Sequence, residues 1–329
     1  MPAITLPTEP TLGLGCWAIG GPFSANGSPV GWGEVDDKTS TAAIHAAVDH
    51  GIRLFDTAQA YGTGHSETVL GSALHDRPDV AIVTKIGIGI DPANRAITGE
   101  VTDPKAIRAS LDASHKRLRR DHIDLVLLHL NELPIESAAP IFDLLDGLYS
   151  AGRIGGYGWS TDFPDRTRAF ADRPGFTAVE HAMNVFFAAE HMVPATRAAG
   201  IAALIRSPLA MGILGGRYDA SAEFSKNDVR SSNQSWNGHF ADGRIAPDRL
   251  TALDAVRDIL TSDNRSLAQG AIAWLWARSP NAIPIPGFRT PEQVTDLCGA
   301  LDHGPLTQAK MSQIETLLNR PPEGPPQQR

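Results

Sequence analysis

Short apolar runs alternate with amphipathic segments along most of the chain. Runs such as residues 80–85 and 123–129 have the length and the β-branched or aliphatic content of buried strands. Residues 37–50 instead repeat apolar positions at helical spacing and stop at Gly51, a residue typical of helix ends. The pattern predicts eight strands, at residues 12–16, 52–55, 80–85, 123–129, 154–160, 177–180, 201–205 and 282–285.

Helices are predicted between these strands. Asp103 followed by Pro104 is expected to open one of them, because aspartate is a favoured N-cap and proline fits the first helical position. The other predicted helices cover residues 37–50, 66–74, 139–151, 166–171, 188–199, 248–260, 266–278, 291–300 and 307–318. Eight strand–helix units joined by right-handed crossovers close most naturally into a (β/α)8 TIM barrel of the α/β class.

The length favours one domain. A chain of 329 residues with 42% hydrophobic content accommodates one barrel with a few insertions, which we place at residues 1–319. The proline-rich residues 320–329 are expected to form a disordered tail. The long connection at residues 207–248 is expected to act as a lid or cofactor clamp, since long loops in compact folds usually have a function. The alternative is a disordered surface excursion, which Trp236 and Phe240 disfavour because large aromatic rings need a surface to pack on.

Charge and cysteine content exclude several classes of function. The net charge of −8 argues against nucleic acid as a partner, which requires a basic surface. The basic run at residues 116–120 is interpreted as the solvated end of a helix. Cys16 and Cys298 lie too far apart in sequence for a metal site, so we expect no metal, and no disulfide in a reducing compartment. With no apolar stretch long enough to span a membrane and no secretory signal, a cytoplasmic location is expected.

Four reactive side chains follow the ends of successive predicted strands. Asp56, Tyr61, Lys85 and His129 are expected to meet on one rim, because the carboxyl ends of barrel strands share one face. There Lys85 would lower the pKa of the Tyr61 phenol, while Asp56 would keep the ammonium charged and in place. Taken singly, each residue is more often a structural feature than a catalytic one. Together, the four favour a tuned proton donor.

Seven motifs in order resemble the aldo-keto reductase superfamily over nearly the whole chain. They are DTAQAYG at 56–62, GHSE at 64–67, Lys85, LLH ending at His129, GWS ending at Ser160, SPLAMGILGG at 207–216 and IPIPGFRTPEQ at 283–293. The resemblance implies an NAD(P)H-dependent reductase that converts a small-molecule carbonyl, an aldehyde or ketone, to an alcohol without a Rossmann fold. It implies that Tyr61 is the general acid and that His129 polarises the substrate carbonyl.

The resemblance also implies a set of cofactor contacts. These are Cys16, Trp17, Ser160, Thr161, Glu180, Arg206, Ser207, Leu209, Gly212, Gly287, Arg289 and Gln293. Arg289 lies near the start of a predicted helix and suits a 2′-phosphate, which favours NADPH over NADH. The corresponding substrate pocket would be lined by Trp17, Phe23, Trp32, Leu130 and Trp236.

The chain departs from the family pattern at four cofactor positions. Thr161 stands where asparagine is usual, Glu180 where glutamine is usual, and Leu297 replaces an asparagine. Glu180 can accept from the cofactor amide but, when ionised, cannot donate to its oxygen. Arg206 replaces an aromatic residue. We hypothesise that its planar guanidinium stacks on the nicotinamide and pairs with Glu180.

Two other functions remain open from the sequence. One is a cofactor-binding, redox-sensing or regulatory subunit with little turnover, similar to channel β-subunits; the intact set of four strand-end residues argues against it. The other is a phosphate-binding lyase or isomerase, which that same set disfavours because it is suited to protonating an alkoxide. The sequence leaves the physiological substrate, the reaction direction and the oligomeric state open.

Overall fold

Eight parallel strands form one sheet at the centre of the computed structural model, which describes residues 4–232 and 238–325. In sheet order they are β1 (Leu14–Gly15), β2 (Leu54–Asp56), β3 (Ala81–Ile86), β4 (Leu125–Leu128), β5 (Tyr157–Ser160), β6 (Phe176–Ala182), β7 (Ala202–Arg206) and β8 (Ala282–Pro284). The backbone N–H groups of Gly13 and Gly15 donate to the carbonyls of Pro284 and Pro286, at 3.0 and 2.9 Å. These bonds join the first strand to the last, so the predicted (β/α)8 barrel is confirmed.

Helices cover the outside of the barrel. They are α1 (Asp37–Asp49), α2 (His65–Leu74), α3 (Pro104–Leu118), α4 (Ile135–Ser150), α5 (Pro164–Phe170), α6 (Met192–Ala199), α7 (Pro247–Leu260), α8 (Leu267–Arg278), α9 (Pro291–Cys298), α10 (Ala300–His303) and α11 (Gln308–Leu318). The Asp103 side chain accepts from Ala106 N–H at 2.8 Å, with Pro104 at the first helical position, as the sequence predicts. Ser266 and Gln269 form a reciprocal capping box that fixes the start of α8.

The period of the strands decides which side chains reach the barrel mouth. The apolar core inside the barrel includes Leu54, Val83, Leu127, Ala178 and Leu204, one from each of five strands. Because successive side chains on a strand alternate between faces, a residue two positions further on points to the same interior. Those residues are Asp56, Lys85, His129, Glu180 and Arg206, so five polar side chains close the upper end of the apolar core.

A four-stranded sheet lies beside the barrel mouth and was not predicted. Two hairpins form it, with strands Ser24–Ala25 and Ser28–Pro29 in one and Ile88–Asp91 and Ala96–Glu100 in the other. The two strands of the first hairpin have only two residues each, too few for a period of two to show, so their sequence does not distinguish them from loops. The hairpins add walls to the mouth of the barrel.

Several predicted boundaries differ from the structure. Helix α4 begins at Ile135 rather than 139, and α6 begins at Met192 rather than 188, after a tight turn in which Asn184 pairs with Phe187. Within the predicted tail, Arg320 lies over the Trp274 ring, and Glu323 accepts from the backbone N–H of Glu190. Residues 326–329 and Trp236 lie outside the described residues. In the described part of the chain, no helix has both the length and the apolar character that crossing a membrane requires.

Candidate active site

Lys85 is the centre of the predicted set of four. Its side chain is fully buried, and its Nζ lies 2.7 and 2.6 Å from the two carboxylate oxygens of Asp56. The same ammonium donates to the carbonyl of Thr57 at 3.1 Å and to the phenol oxygen of Tyr61 at 3.0 Å. Three residues predicted from strand ends therefore form one hydrogen-bonded unit.

Tyr61 is held by aromatic neighbours and by a tight turn. Its ring stacks on Trp17 with centroids 6.0 Å apart and meets the His129 ring edge-on, also at 6.0 Å. Gly62, which follows it, has φ of 60°, and a Cβ there would lie 1.8 Å from the carbonyl oxygen of Gly20. Only glycine fits this turn, which sets the direction of Tyr61.

The ionisation of Tyr61 differs from the expectation. The sequence led us to expect a lowered pKa, and Lys85 does lower it, but burial is the larger effect and the pKa is raised overall, with Asp56 and Glu180 adding to the rise. Burial acts to lower the pKa of Lys85, yet the charges of Asp56 and Glu180 outweigh it and raise the pKa. The structure therefore keeps a neutral phenol, which still carries its proton, beside the ammonium of Lys85.

His129 completes the group as a neutral imidazole. Burial lowers its pKa well below the usual value, and the charges of Lys85 and Arg206 lower it further. Its Nδ1 is buried and has no hydrogen-bond partner among the described residues. A neutral imidazole beside the phenol can hydrogen-bond an oxygen that approaches Tyr61.

Glu180 and Arg206 do not pair with each other, so that part of the hypothesis is wrong, while the stacking of Arg206 on the nicotinamide stays a prediction. Glu180 is 1% exposed, its Oε2 lies 3.2 Å from Lys85 Nζ, and its Oε1 accepts from Ser160 Oγ at 3.3 Å. Arg206 donates to Asp162 instead. The register explains the difference, because Glu180 lies opposite Leu204 on β7, whereas Arg206 lies two residues further along that strand, opposite Ala182.

Asp162 is a site residue that the sequence reasoning missed. Its Oδ2 accepts from Arg206, and its Oδ1 accepts from the backbone N–H of Ala182 at 2.9 Å. The signal was present, because Asp162 lies two positions after Ser160 and the strand period carries it to the same side. Asp162 holds Arg206, which is 25% exposed, over the mouth of the barrel.

A cavity of about 1910 Å³ opens above these residues at the carboxyl ends of the strands. Many of the predicted site residues line it. They are Trp17, Phe23, Trp32, Asp56, Tyr61, His129, Leu130, Ser160, Glu180, Arg206, Ser207, Leu209, Gly212, Gly287, Arg289 and Gln293. Lys85 is buried beneath Tyr61 rather than on the wall. Cys16 is buried behind the wall, and Thr161 directs its hydroxyl to the carbonyl of Asn131 at 2.8 Å.

The long loop after β7 folds back over the cavity. The backbone N–H of Val229 donates to the carbonyl of Gly31 at 2.7 Å. Arg230 pairs with Asp228 at 2.7 Å, and its guanidinium lies 4.8 Å from the Trp32 ring centroid. These contacts fasten the loop to the segment that carries Trp32. That this loop acts as a lid or cofactor clamp stays a prediction.

Arg289 fastens the far end of the cavity. Its guanidinium donates to the carbonyls of Trp32, at 3.2 Å, and of Glu34, while its backbone N–H donates to Gln293 Oε1 at 2.8 Å. Carboxylates also line this end, from Glu34, Asp36, Glu292 and Asp296. Charges of both signs therefore line this end of the cavity, from the Arg289 guanidinium and from the carboxylates of these acidic residues.

The C-terminal segment also reaches the cavity. Glu323, Gly324 and Pro325 form part of its wall. His191 lies 3.3 Å from the carbonyl of Glu323. Residues 323–325 of the predicted tail therefore help to shape the pocket.

Comparison with known proteins identifies the family. The sequence model of the aldo/keto reductase family matches residues 11–319. The chain belongs to the aldo/keto reductase family. It is therefore an oxidoreductase on a (β/α)8 barrel, as the motifs at the strand ends imply.

Individual relatives are similar over most of the chain. It is 29% identical over 320 residues to aldo-keto reductase YhdN of Bacillus subtilis strain 168, covering 93% of this chain and 89% of that protein. It is 28% identical over 332 residues to a probable voltage-gated potassium channel subunit beta of Arabidopsis thaliana, covering 96% and 94%. For the NADH-specific methylglyoxal reductase of Escherichia coli strain K12 the identity is 27% over 305 residues, covering 88% and 89%. Among solved structures, the glycerol dehydrogenase AKR11B4 from Gluconobacter oxydans has a TM-score of 0.78 and 27% identity, covering 100% of both chains.

Proposed function

We propose that this chain reduces an aldehyde or ketone to an alcohol with a nicotinamide cofactor, and that Tyr61 is the general acid. The observation that carries the proposal is the 3.0 Å hydrogen bond from buried Lys85 to the Tyr61 phenol, at the floor of a large cavity. Reduction of a carbonyl by hydride leaves an alkoxide that must be protonated. Lys85 stabilises the phenolate that forms when Tyr61 gives up its proton, and Asp56 holds Lys85 in place.

The cavity has groups suited to both ends of a dinucleotide. Near Asp56, Tyr61, Lys85 and His129, the Ser160 hydroxyl and the Glu180 carboxyl can bind a carboxamide, which offers both donors and an acceptor. At the far end, Arg289 precedes α9, whose N-terminus adds positive potential. When bound between them, the nicotinamide cofactor supplies the hydride. The neutral His129 orients the carbonyl oxygen toward Tyr61, and the apolar rings of Trp17 and Trp32 exclude water.

We propose NADPH as the favoured cofactor, because Arg289 offers a forked cation for a 2′-phosphate. The test is Arg289→Gln, with the Kd of NADPH and of NADH measured by fluorescence titration. We expect the Kd of NADPH to rise about tenfold, or about 1.4 kcal/mol, and that of NADH to change less than about twofold. Arg257→Gln, a change on the outer helix α7, serves as the matched control. Equal effects on both cofactors, or tighter NADH binding by the parent protein, contradict this preference.

The substrate wall is largely apolar near Tyr61. Trp17, Phe23, Trp32 and Leu130 line it, and His129 and Arg206 are among the polar groups of the same cavity. This favours a small carbonyl compound with an apolar side. A panel of aldehydes, ketones and sugars, assayed by NADPH consumption, tests the proposal and ranks the substrate classes.

A cofactor-binding regulatory subunit is the second candidate. The similarity to a probable channel subunit beta supports it. The two functions differ in turnover: tight NADPH binding with no consumption on any panel member favours the subunit. Turnover that Tyr61→Phe abolishes favours the reductase.

A further inference from the structure

Two carboxyl groups lie against Lys85, one more than the charge of a single ammonium can balance. Asp56 and Glu180 both lie against the same ammonium, at 2.6 and 3.2 Å. All three side chains are 3% exposed or less. Two ionised carboxylates and one ammonium would leave a net negative charge buried away from water, which is costly.

The neighbouring groups do not supply a second cation. Burial raises the pKa of the Cys16 thiol and lowers the pKa values of His129 and His181, so these three are neutral near pH 7. Tyr61 is a neutral phenol, since its pKa is raised. Arg206 is already paired with Asp162. Among the described residues around the cluster, Lys85 is thus the one cation left for both carboxyl groups.

We propose that Asp56 and Glu180 share one proton around Lys85, so that the buried cluster carries no net charge. Two close carboxyl groups of like charge cannot both ionise easily. In agreement, burial raises the pKa of Asp56 well above its usual value, and the charge of Glu180 and a hydrogen bond with it raise it further, against the opposing effect of Lys85.

The shared proton explains how Glu180 can stand at a position where the family usually has glutamine. A protonated carboxyl has one donor and an acceptor, as the side-chain amide of glutamine does. If the proton leaves, the cluster becomes anionic beside Tyr61, where the reacting oxygen gains negative charge. That extra charge opposes the alkoxide in either direction of reaction. This catalytic consequence rests on the proposed reductase function, whereas the proton sharing itself does not.

Infrared spectroscopy of the protein without cofactor or substrate tests the proton directly. At pH 7.5, the difference spectrum between the parent protein and Glu180→Gln should show one protonated carboxyl band that shifts in D2O. Asp124 and Glu323, whose pKa values burial also raises, are present in both proteins and cancel. Glu67→Gln is the matched control, because Glu67 is equally buried but has its own cation, Arg117, at 2.6 Å. Its difference spectrum should show no such band.

The proposal is overturned if Glu180→Gln removes no protonated-carboxyl band from the parent spectrum. Circular dichroism checks that the variant is folded, and titration of the band in the parent protein alone gives a reading that does not depend on any variant. The kinetic readout is the pH profile of kcat/KM. The parent should lose kcat/KM at alkaline pH as the shared proton leaves, and Glu180→Gln should lack that limb while Glu67→Gln keeps it. If the infrared band is present and no turnover is found, the reductase function fails and the proton sharing stands.

Discussion

Removing the buried ammonium should make the stability of the protein strongly dependent on pH. In Lys85→Met, Asp56 and Glu180 keep their buried positions and lose the cation that both of them contact. Breaking a buried ion pair by deleting one partner costs about 3–5 kcal/mol. We therefore expect the free energy of unfolding of Lys85→Met to fall by about that amount near pH 8.

The size of the effect depends on proton uptake. Without Lys85 both carboxyls should be protonated in the folded state, whereas the parent cluster holds one proton, so the folded variant binds one proton more. A carboxyl group whose pKa is higher in the folded than in the unfolded protein stabilises the fold fully below its unfolded pKa, roughly 3.9 to 4.3. That stabilisation is lost as the pH rises through the pKa of the folded protein. One proton is worth about 1.36 kcal/mol per pH unit. Between pH 5 and pH 8 the free energy of unfolding of the variant should fall by about 2–4 kcal/mol more than that of the parent. The lower end of this range allows for water that penetrates the cluster and weakens the effect.

Urea denaturation at pH 5 and pH 8, followed by circular dichroism, measures this difference. Lys38→Met, at an exposed position of α1, controls for a lysine-to-methionine change as such. The double variant Lys85→Met with Asp56→Asn holds one carboxyl again, so its stability should vary with pH as the parent's does. Parallel pH dependence of the parent and Lys85→Met would show that the ammonium does not set the protonation of the two carboxyls, and a loss below about 1 kcal/mol at pH 8 would show the same.

Three further predictions concern cofactor binding and packing. Arg206→Ala should raise the Kd of NADPH about tenfold in a fluorescence titration. Asp162→Asn should raise it less, because that change only frees the Arg206 guanidinium from its carboxylate. Unchanged affinity in Arg206→Ala contradicts a cofactor role for this residue. Gly270→Ala should lower the free energy of unfolding by about 1–3 kcal/mol in urea denaturation, because its Cβ would lie 2.0 Å from the Leu260 carbonyl oxygen. Gly147→Ala, whose Cβ would meet nothing within 4 Å, should instead raise it by up to about 1 kcal/mol through helix propensity. Changes of the same sign in both variants would be inconsistent with this packing. Ser266→Ala should lose about 1 kcal/mol in the same assay, because it removes the capping box of α8, and no loss would mean that the cap contributes nothing.

The sequence predicted the barrel because its signals are local. Eight apolar runs, capping residues such as Asp103 and glycines after helices each act within a few residues, so the order of elements follows without tertiary information. The convergence of Asp56, Lys85 and His129 also follows, since each ends a strand whose inward positions are set by a period of two.

The partners within the site were less predictable. Which carboxylate meets which cation depends on strand register, and a shift of two residues separates Glu180, beside Lys85, from Arg206, beside Asp162. Burial was the other missing quantity. It raises the pKa of Tyr61 against the effect of Lys85, and no residue type in the motif reports how deeply the phenol lies.

Replacing Tyr61 by phenylalanine removes the group on which the proposed proton transfer depends. The Tyr61 phenol accepts a hydrogen bond from Lys85 Nζ at 3.0 Å and lines the cavity, whereas Lys85 is fully buried. The measurement is NADPH consumption by parent and variant with a panel of aldehydes, ketones and sugars, with NADPH affinity and circular dichroism recorded for both. We expect turnover by the parent and a loss of about 10²–10⁴ in kcat for a folded variant that still binds NADPH. Equal turnover by the variant, or no turnover by a parent protein that binds NADPH tightly, would contradict this expectation.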